Sequence, residues 1–262
     1  MKLRIKYAKT GCLKFIGHLD VMRYFQKAIR RAGLDVAYSQ GYSPHQLITF
    51  AAPLGLGVTS EGEYFDGEFH SATSSEDMTK RLNAVMAEGM HVIDVRELPQ
   101  KAKTAMAVVS ASDYYVTVKP GYYESMRAKM QSEFRSFIEL PEILILKKTK
   151  KSETMTDIRP MILEAYVTQE TSSLFFDEEW KQSDDFYTFY MKLSTGSISN
   201  LKPELVMEAY CNYLDIPYEN FGFHVHRLET YMDGADGGLI SLNEAGHNIF
   251  ETGRNGDTNE PE

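Results

Sequence analysis

Residues 3–33, LRIKYAKTGCLKFIGHLDVMRYFQKAIRRAG, change their hydrophobic period part-way along, and that change sets the expected fold. From Leu3 to Lys9 the pattern alternates, with Leu3, Ile5 and Tyr7 on one face and Arg4, Lys6 and Ala8 on the other, as in a strand with one buried side. Residues 10–20, TGCLKFIGHLD, read as a loop in which Gly11 and Gly17 permit tight turns and Asp20 suits the first turn of a helix. From about Leu19 to Ala32 the period lengthens to that of a helix, and Gly33 is a natural stop. Val21, Phe25, Ala28, Ile29 and Ala32 then share one side, while Arg23, Lys27, Arg30 and Arg31 share the other.

Working outward, DVAYS (35–39) and QLITFA (46–51) read as short strands and EGEYFDGEFH (61–70) as a longer one. SSEDMTKRLNAVM (74–86) is a capped helix and HVIDVREL (91–98) a closing strand. Strand, helix, strand, strand, helix, strand is the ferredoxin-like order, expected over residues 1–98. A connector, 99–111, leads to a second round over 112–232. There DYYVTVKP, EILILKKTK, TMTDIRPMILEAYVTQE, DFYTFYMKLST and FGFHVHRLETYM read as strands, and YYESMRAKMQSEFRSFI and KPELVMEAYCNYLD as helices. The expected fold class is α+β, two tandem ferredoxin-like (βαββαβ) halves without a residue-level repeat, followed by a polar, glycine-rich tail, 233–262, expected to be disordered.

At 262 residues, 43% hydrophobic and 12% aromatic, the chain has material for sizeable cores. No apolar run is long enough to span a bilayer, and MKLRIKYAKT lacks the apolar stretch of a secretion signal, so the expected location is the cytoplasm without membrane contact. Cys12 and Cys211 stand alone and are expected to be small buried residues. They make neither a disulfide framework nor a CxxC motif, which excludes an iron–sulfur cluster held by this chain alone. The net charge of −9 hides an asymmetry: residues 1–50 hold nine Lys or Arg against two Asp, a balance of +7, while the remainder carries 19 basic and 35 acidic residues, −16.

The stripe on the first helix includes no Glu, whereas an ordinary solvated helix face would intersperse acids for i,i+4 pairing. It is followed by YSQGYSPHQLITFAAPLGLGVTSEGEY (38–64), rich in glycine, proline and tyrosine. Cations that meet phosphates beside aromatics that stack on bases are the means of single-stranded nucleic-acid recognition. The candidate RNA-binding residues are Lys9, Lys14, Arg23, Lys27, Arg30, Arg31, Tyr38, Gln40 and Tyr42, with Arg159 beside Lys147, Lys148, Lys150 and Lys151 as a second basic patch. The opposing reading is a solvated helix face and a hairpin with buried tyrosines. His18, Asp20 and His45 are candidate catalytic residues, because histidine titrates near neutrality and a carboxylate can orient it. Glu61 with Glu63, Asp157 with Arg159, and His224 with His226 each share a strand face, and each pair reads first as structural; no metal site is expected.

The run KYAKTGCLKFIGHLDVMRYFQKAIRRAGLDVAYSQGYSPHQLITFAAPLGLGVTSEGEYFD, with DIRPMI and KPELVMEAY later, resembles the radical S-adenosylmethionine-linked (radical SAM-associated) protein family, a domain of unknown function. In that family the domain is fused to a cobalamin-binding radical SAM enzyme or encoded beside it. The resemblance implies that Lys9, His18, Asp20, Arg23, Tyr38, Ser39, Gln40, Gly41, Pro44, Ser60, Glu61, Glu63 and Asp66 occupy the family's motif positions. Tyr42, His45 and Gln46 depart from it. It further implies a radical SAM partner supplied in trans, with S-adenosylmethionine, iron–sulfur cluster and cobalamin on that partner and none on this chain. The resulting expectation is an accessory, substrate-binding protein for modification of structured RNA, tRNA or rRNA. The alternatives are an RNA-processing or RNA-modifying enzyme in its own right and a protein–protein adaptor.

Overall fold

The computed structural model describes residues 1–148, 153–170, 186–197 and 199–250. The alternating segment forms β1 (Lys2–Lys9), a 3-10 turn (Gly11–Phe15) follows, and the 3.6-period segment forms α1 (His18–Arg31). α1 buries Val21, Phe25, Ala28 and Ile29, as its pattern requires. It stops where Gly33 takes a φ of +63°, a left-handed value that L side chains resist. The Leu34 amide returns to the Ile29 carbonyl, and the Arg81 guanidinium donates to the Ala32 and Gly33 carbonyls, so the acceptors at the helix end are satisfied.

β2 (Ile48–Phe50), β3 (Thr59–Glu68), α2 (Ser75–Asn83) and β4 (Met90–Leu98) complete the first half; α2 is capped by Ser74, whose side chain accepts from the Asp77 amide. The second half holds α3 (Ala105–Val108), β5 (Val109–Val118), α4 (Arg127–Ile138), β6 (Leu144–Lys148), β7 (Glu153–Asp157), β8 (Ile162–Thr168), β9 (Thr188–Ser194), α5 (Pro203–Tyr213), β10 (Phe223–Asp233) and β11 (Leu239–Ser241). One nine-stranded sheet runs through both halves in the order β4-β1-β3-β10-β5-β9-β8, with β2 paired to β3 and β11 to β10, while β6 and β7 form a separate hairpin. Every pairing in the sheet is antiparallel except the seam, where β10 meets β3 in parallel at His226–Thr59 and Arg227–Ser60. The molecule is therefore α+β with a large, mostly antiparallel sheet.

The strands approach closely at the seam. A Cβ on Gly62 would lie 2.5 Å from the Glu229 Cα and 2.7 Å from the Leu228 carbonyl oxygen, so no other residue fits without parting the halves. One core packs Leu3, Ile5 and Tyr7 of β1 against Val21, Phe25 and Ile29 of α1 and Met78 and Leu82 of α2. A second packs Tyr114, Val116 and Val118 of β5 against Phe134 and Phe137 of α4 and Val206 and Tyr210 of α5. The opposite face is mixed, carrying small apolar clusters around Tyr64 and around Tyr115 together with buried polar groups. There Glu229 accepts from Lys6 at 2.7 Å, from the Tyr64 hydroxyl at 2.7 Å and from Ser241 at 2.9 Å.

Several expectations are corrected. The tail expected to be disordered instead turns back at Gly237 (φ +83°) to pair β11 with β10, and Leu242 seals against Ala51, Tyr64 and Ala105. Glu97 pairs with His247 as an isolated bridge; residues 251–262 lie outside the described residues. The connector contains α3, and β5 begins inside it at Val109. Residues 35–39 make only isolated bridges, Val36–Phe69 and Tyr38–Gln46. TMTDIRPMILEAYVTQE is broken by a 3-10 turn, Arg159–Met161, because Pro160 cannot donate to a ladder. Cys211 is buried as expected, its thiol pushed up to about 11 by burial, but Cys12 is exposed. Among the described residues no helix is long and apolar enough to cross a membrane.

Candidate functional site

α1 begins at His18, whose ring meets Phe50 edge-on at 5.5 Å. His18 lines a cleft of about 440 Å³ where the halves meet; the other walls come from Met22, the 48–53 segment, Met106, Val109, the 195–197 turn, Asn200 and Arg227. A smaller depression shares His18, Phe50, Ala52 and Pro53 and reaches inward to Tyr7, Lys9 and Glu63.

Behind His18 three charged side chains lie almost wholly buried: Lys9 is 2% exposed, Glu63 4% and Arg227 5%. Arg227 Nη1 donates to Glu63 at 2.9 Å and to the Ala52 carbonyl at 3.1 Å, and Nε donates to the Tyr114 hydroxyl at 3.3 Å. The guanidinium also lies over the Tyr114 ring, 5.5 Å from its centroid. Burial disfavours the Arg227 charge, but Glu63 and Tyr114 outweigh it and hold the group protonated. Lys9 donates to the Ile16 carbonyl at 3.2 Å; burial pulls its ammonium below the usual lysine range, Glu63 opposing and Arg227 adding to the fall. Burial raises Tyr7 well above its ordinary value, and Glu63 raises it further, so it stays a neutral phenol.

A second feature lies along α1. Arg23, Lys27, Arg30 and Arg31 are exposed on one side of the helix, Arg23 pairing loosely with Asp20 at 3.4 Å and Arg31 reaching the Val85 carbonyl. The 38–46 loop is tied to the helix because Gln46 donates to the Gln26 carbonyl at 3.0 Å and to the Tyr38 hydroxyl at 3.4 Å. Gln40 and Tyr42 at its tip are exposed, Tyr42 completely.

The candidate residues therefore divide. Lys14 is half-buried with its ammonium over Phe15, and Lys9 is inside, where it cannot reach a phosphate on the surface. Arg159 is in the second half and donates to the Ile162 carbonyl, while Asp157 accepts the Arg159 amide instead of pairing with its guanidinium. Lys147 and Lys148 end β6; Lys150 and Lys151 lie outside the described residues. The catalytic trio is not gathered: Asp20 is exposed on α1, and His45 bonds Ser39 at 2.9 Å and lines a separate depression with Lys2 and Thr104. Arg227 is the residue that sequence reasoning missed. Its signal was a lone cation in the half-apolar strand FHVHRLETYM.

His224 and His226 do share a face, both near the Thr59 hydroxyl, at 3.2 Å from Nε2 and 2.8 Å from Nδ1 respectively. Among the described residues no group of three or more His, Cys, Asp or Glu is arranged to hold a metal ion. His224 is pushed down to about 3, first by burial and then by Lys14, His226 and Lys119. The unfolded chain therefore takes up a proton that the fold refuses, and stability falls as pH drops from about 6.5 toward 3. Urea unfolding at pH 7 and pH 5 should show a loss of roughly 2 kcal/mol from this group, which His224→Gln removes. An equal loss in the variant would assign the effect elsewhere.

These features define an α+β protein with a charged cleft between its halves and a cationic helix face beside it. The chain belongs to a family of uncharacterized proteins conserved in bacteria (DUF2344), whose family model matches residues 2–203. No curated protein matches the chain. The match agrees with the resemblance in giving a domain of unknown function, and it carries no link to radical SAM proteins.

Proposed function

We propose that the protein is an RNA-binding accessory module that presents a structured RNA to an enzyme supplied in trans. On the resemblance drawn from the sequence, that enzyme is a radical SAM protein that carries the cofactors itself, and the RNA is a tRNA or rRNA. The observation that supports this reading is the face of α1: Arg23, Lys27, Arg30 and Arg31 are exposed together on an acidic protein, with Tyr42 beside them on a loop fastened to the same helix. Cations track phosphates and an exposed ring stacks on a base. As to architecture, the order β4-β1-β3-β2 in the first half and β10-β5-β9-β8 in the second supports a reading as two ferredoxin-like units joined at an edge.

The test is binding of a tRNA transcript, followed by fluorescence anisotropy between about 50 and 200 mM salt. Affinity should fall steeply with salt. The combined Arg23→Glu, Arg30→Glu, Arg31→Glu variant should bind at least tenfold more weakly, with a salt slope shallower by roughly 2 to 3. Binding that ignores salt, or a variant indistinguishable from the parent, would make α1 an ordinary solvated face and leave the protein adaptor as the better reading.

A further inference from the structure

The cluster behind His18 is unbalanced: Lys9 and Arg227 are two buried cations, and among the described residues Glu63 is the carboxylate that acts on both. A buried charge without a counter-charge is costly, and proteins that keep one place a partner against it. Arg227 commits Nε to Tyr114 and Nη1 to Glu63 and Ala52, and among the described residues none of its hydrogen bonds uses Nη2. This same side chain lines the 440 Å³ cleft, a volume within the range of ~300–1,000 Å³ usual for small-ligand sites.

The remaining walls say what the ligand is. Met22, Phe50, Pro53, Met106 and Val109 give the cleft an apolar lining, while His18, Thr49 and Asn200 add polar groups. α1 opens at His18, and its N-cap, Gly17, supplies no side chain to the first amides; the positive end of the helix faces this region, partly offset by Asp20 in the first turn. An inorganic ion would leave the apolar walls unused, and a neutral ring would leave the excess positive charge of the cluster unanswered. We propose that this cleft binds a small organic anion, an apolar or aromatic body carrying one phosphate or carboxylate, with the anionic group held by Arg227 and His18. This site does not depend on RNA binding by α1.

The test is isothermal titration of the full chain with phenyl phosphate, benzoate, uridine 5′-monophosphate, uridine and inorganic phosphate. Saturable binding of an organic anion, at least tenfold tighter than uridine or inorganic phosphate, is the expected result. Which of the three organic anions binds best distinguishes phosphate from carboxylate and a nucleotide from a simple aromatic. Removing Arg227 endangers folding, so the variant is Met106→Glu, which sets a carboxylate at an exposed rim position and should weaken binding at least tenfold more than Met106→Gln, which loses the same apolar contact without adding charge. The α1 triple variant should retain the anion, which separates failure of this site from failure of RNA binding. Absence of anion binding, the outcome if Lys9 sheds its proton and leaves Glu63 and Arg227 balanced, would overturn the proposal. So would equal effects of Met106→Glu and Met106→Gln.

Discussion

Asp66→Ala should lower the free energy of unfolding by about 3–5 kcal/mol, the range for removing one partner of a buried ion pair. Arg4 is 1% exposed and Asp66 3%, and the pair is bidentate, Nε to Oδ1 at 2.8 Å and Nη2 to Oδ2 at 3.1 Å. Asp66 also accepts the Ala105 amide at 2.7 Å, and Arg4 Nη1 donates to the Leu242 carbonyl at 3.0 Å. The pair thus fastens β1, the start of α3 and, through Arg4, the returning C-terminal segment to one another. Loss of the carboxylate leaves a buried guanidinium with a single carbonyl and an amide without its acceptor. Urea unfolding of the single variant and of Arg4→Met/Asp66→Leu checks the cause. The double replacement should be the milder, because both buried charges leave together. A cost below about 1 kcal/mol for Asp66→Ala would show that water replaces the carboxylate.

Glu63→Ala should cost a similar amount, about 3–5 kcal/mol, for a different reason. Glu63 is the counter-charge of two cations, so its removal sets Lys9 and Arg227 against each other with little water to screen them. The variant should respond to added phosphate by a larger rise in unfolding temperature than the parent shows, since an anion can now take the carboxylate's place. Thermal unfolding in matched sulfate-free buffers with and without phosphate reads both effects. Equal rises in the two proteins would mean that anions do not reach the cluster.

These two pairs mark where sequence reading stopped. By sequence Arg4 and Lys9 belong to the basic charge of the first 50 residues, and Lys9 to the candidate phosphate-binding set. Both lie inside. Alternation along β1 places Arg4 opposite Leu3 and Ile5, but whether that opposite face meets water depends on what covers it, and here Leu242 does. Composition makes the glycine-rich GADGG a disordered tail; it is the turn of a β10–β11 hairpin, and Leu242, just after β11, packs into the cluster around Tyr64. Composition could not show that cluster. Conversely, the α1 face, its stop at Gly33 and the Ser74 cap depend on contacts within a few residues, and all three are legible as local signals.

By itself the sequence determined the main helices and strands of the two cores and their sidedness, because helix and strand periods and caps act through near neighbours along the chain. It determined too that α1 presents one apolar and one cationic side. Only the tertiary structure decided that β3 and β10 join the halves in parallel at Thr59 and Ser60, with close approach at Gly62, and that Lys9, Glu63 and Arg227 meet behind His18. Such meetings are set by which sheet edges find each other and how closely they approach. No pattern along one strand encodes which distant charge will be buried against it.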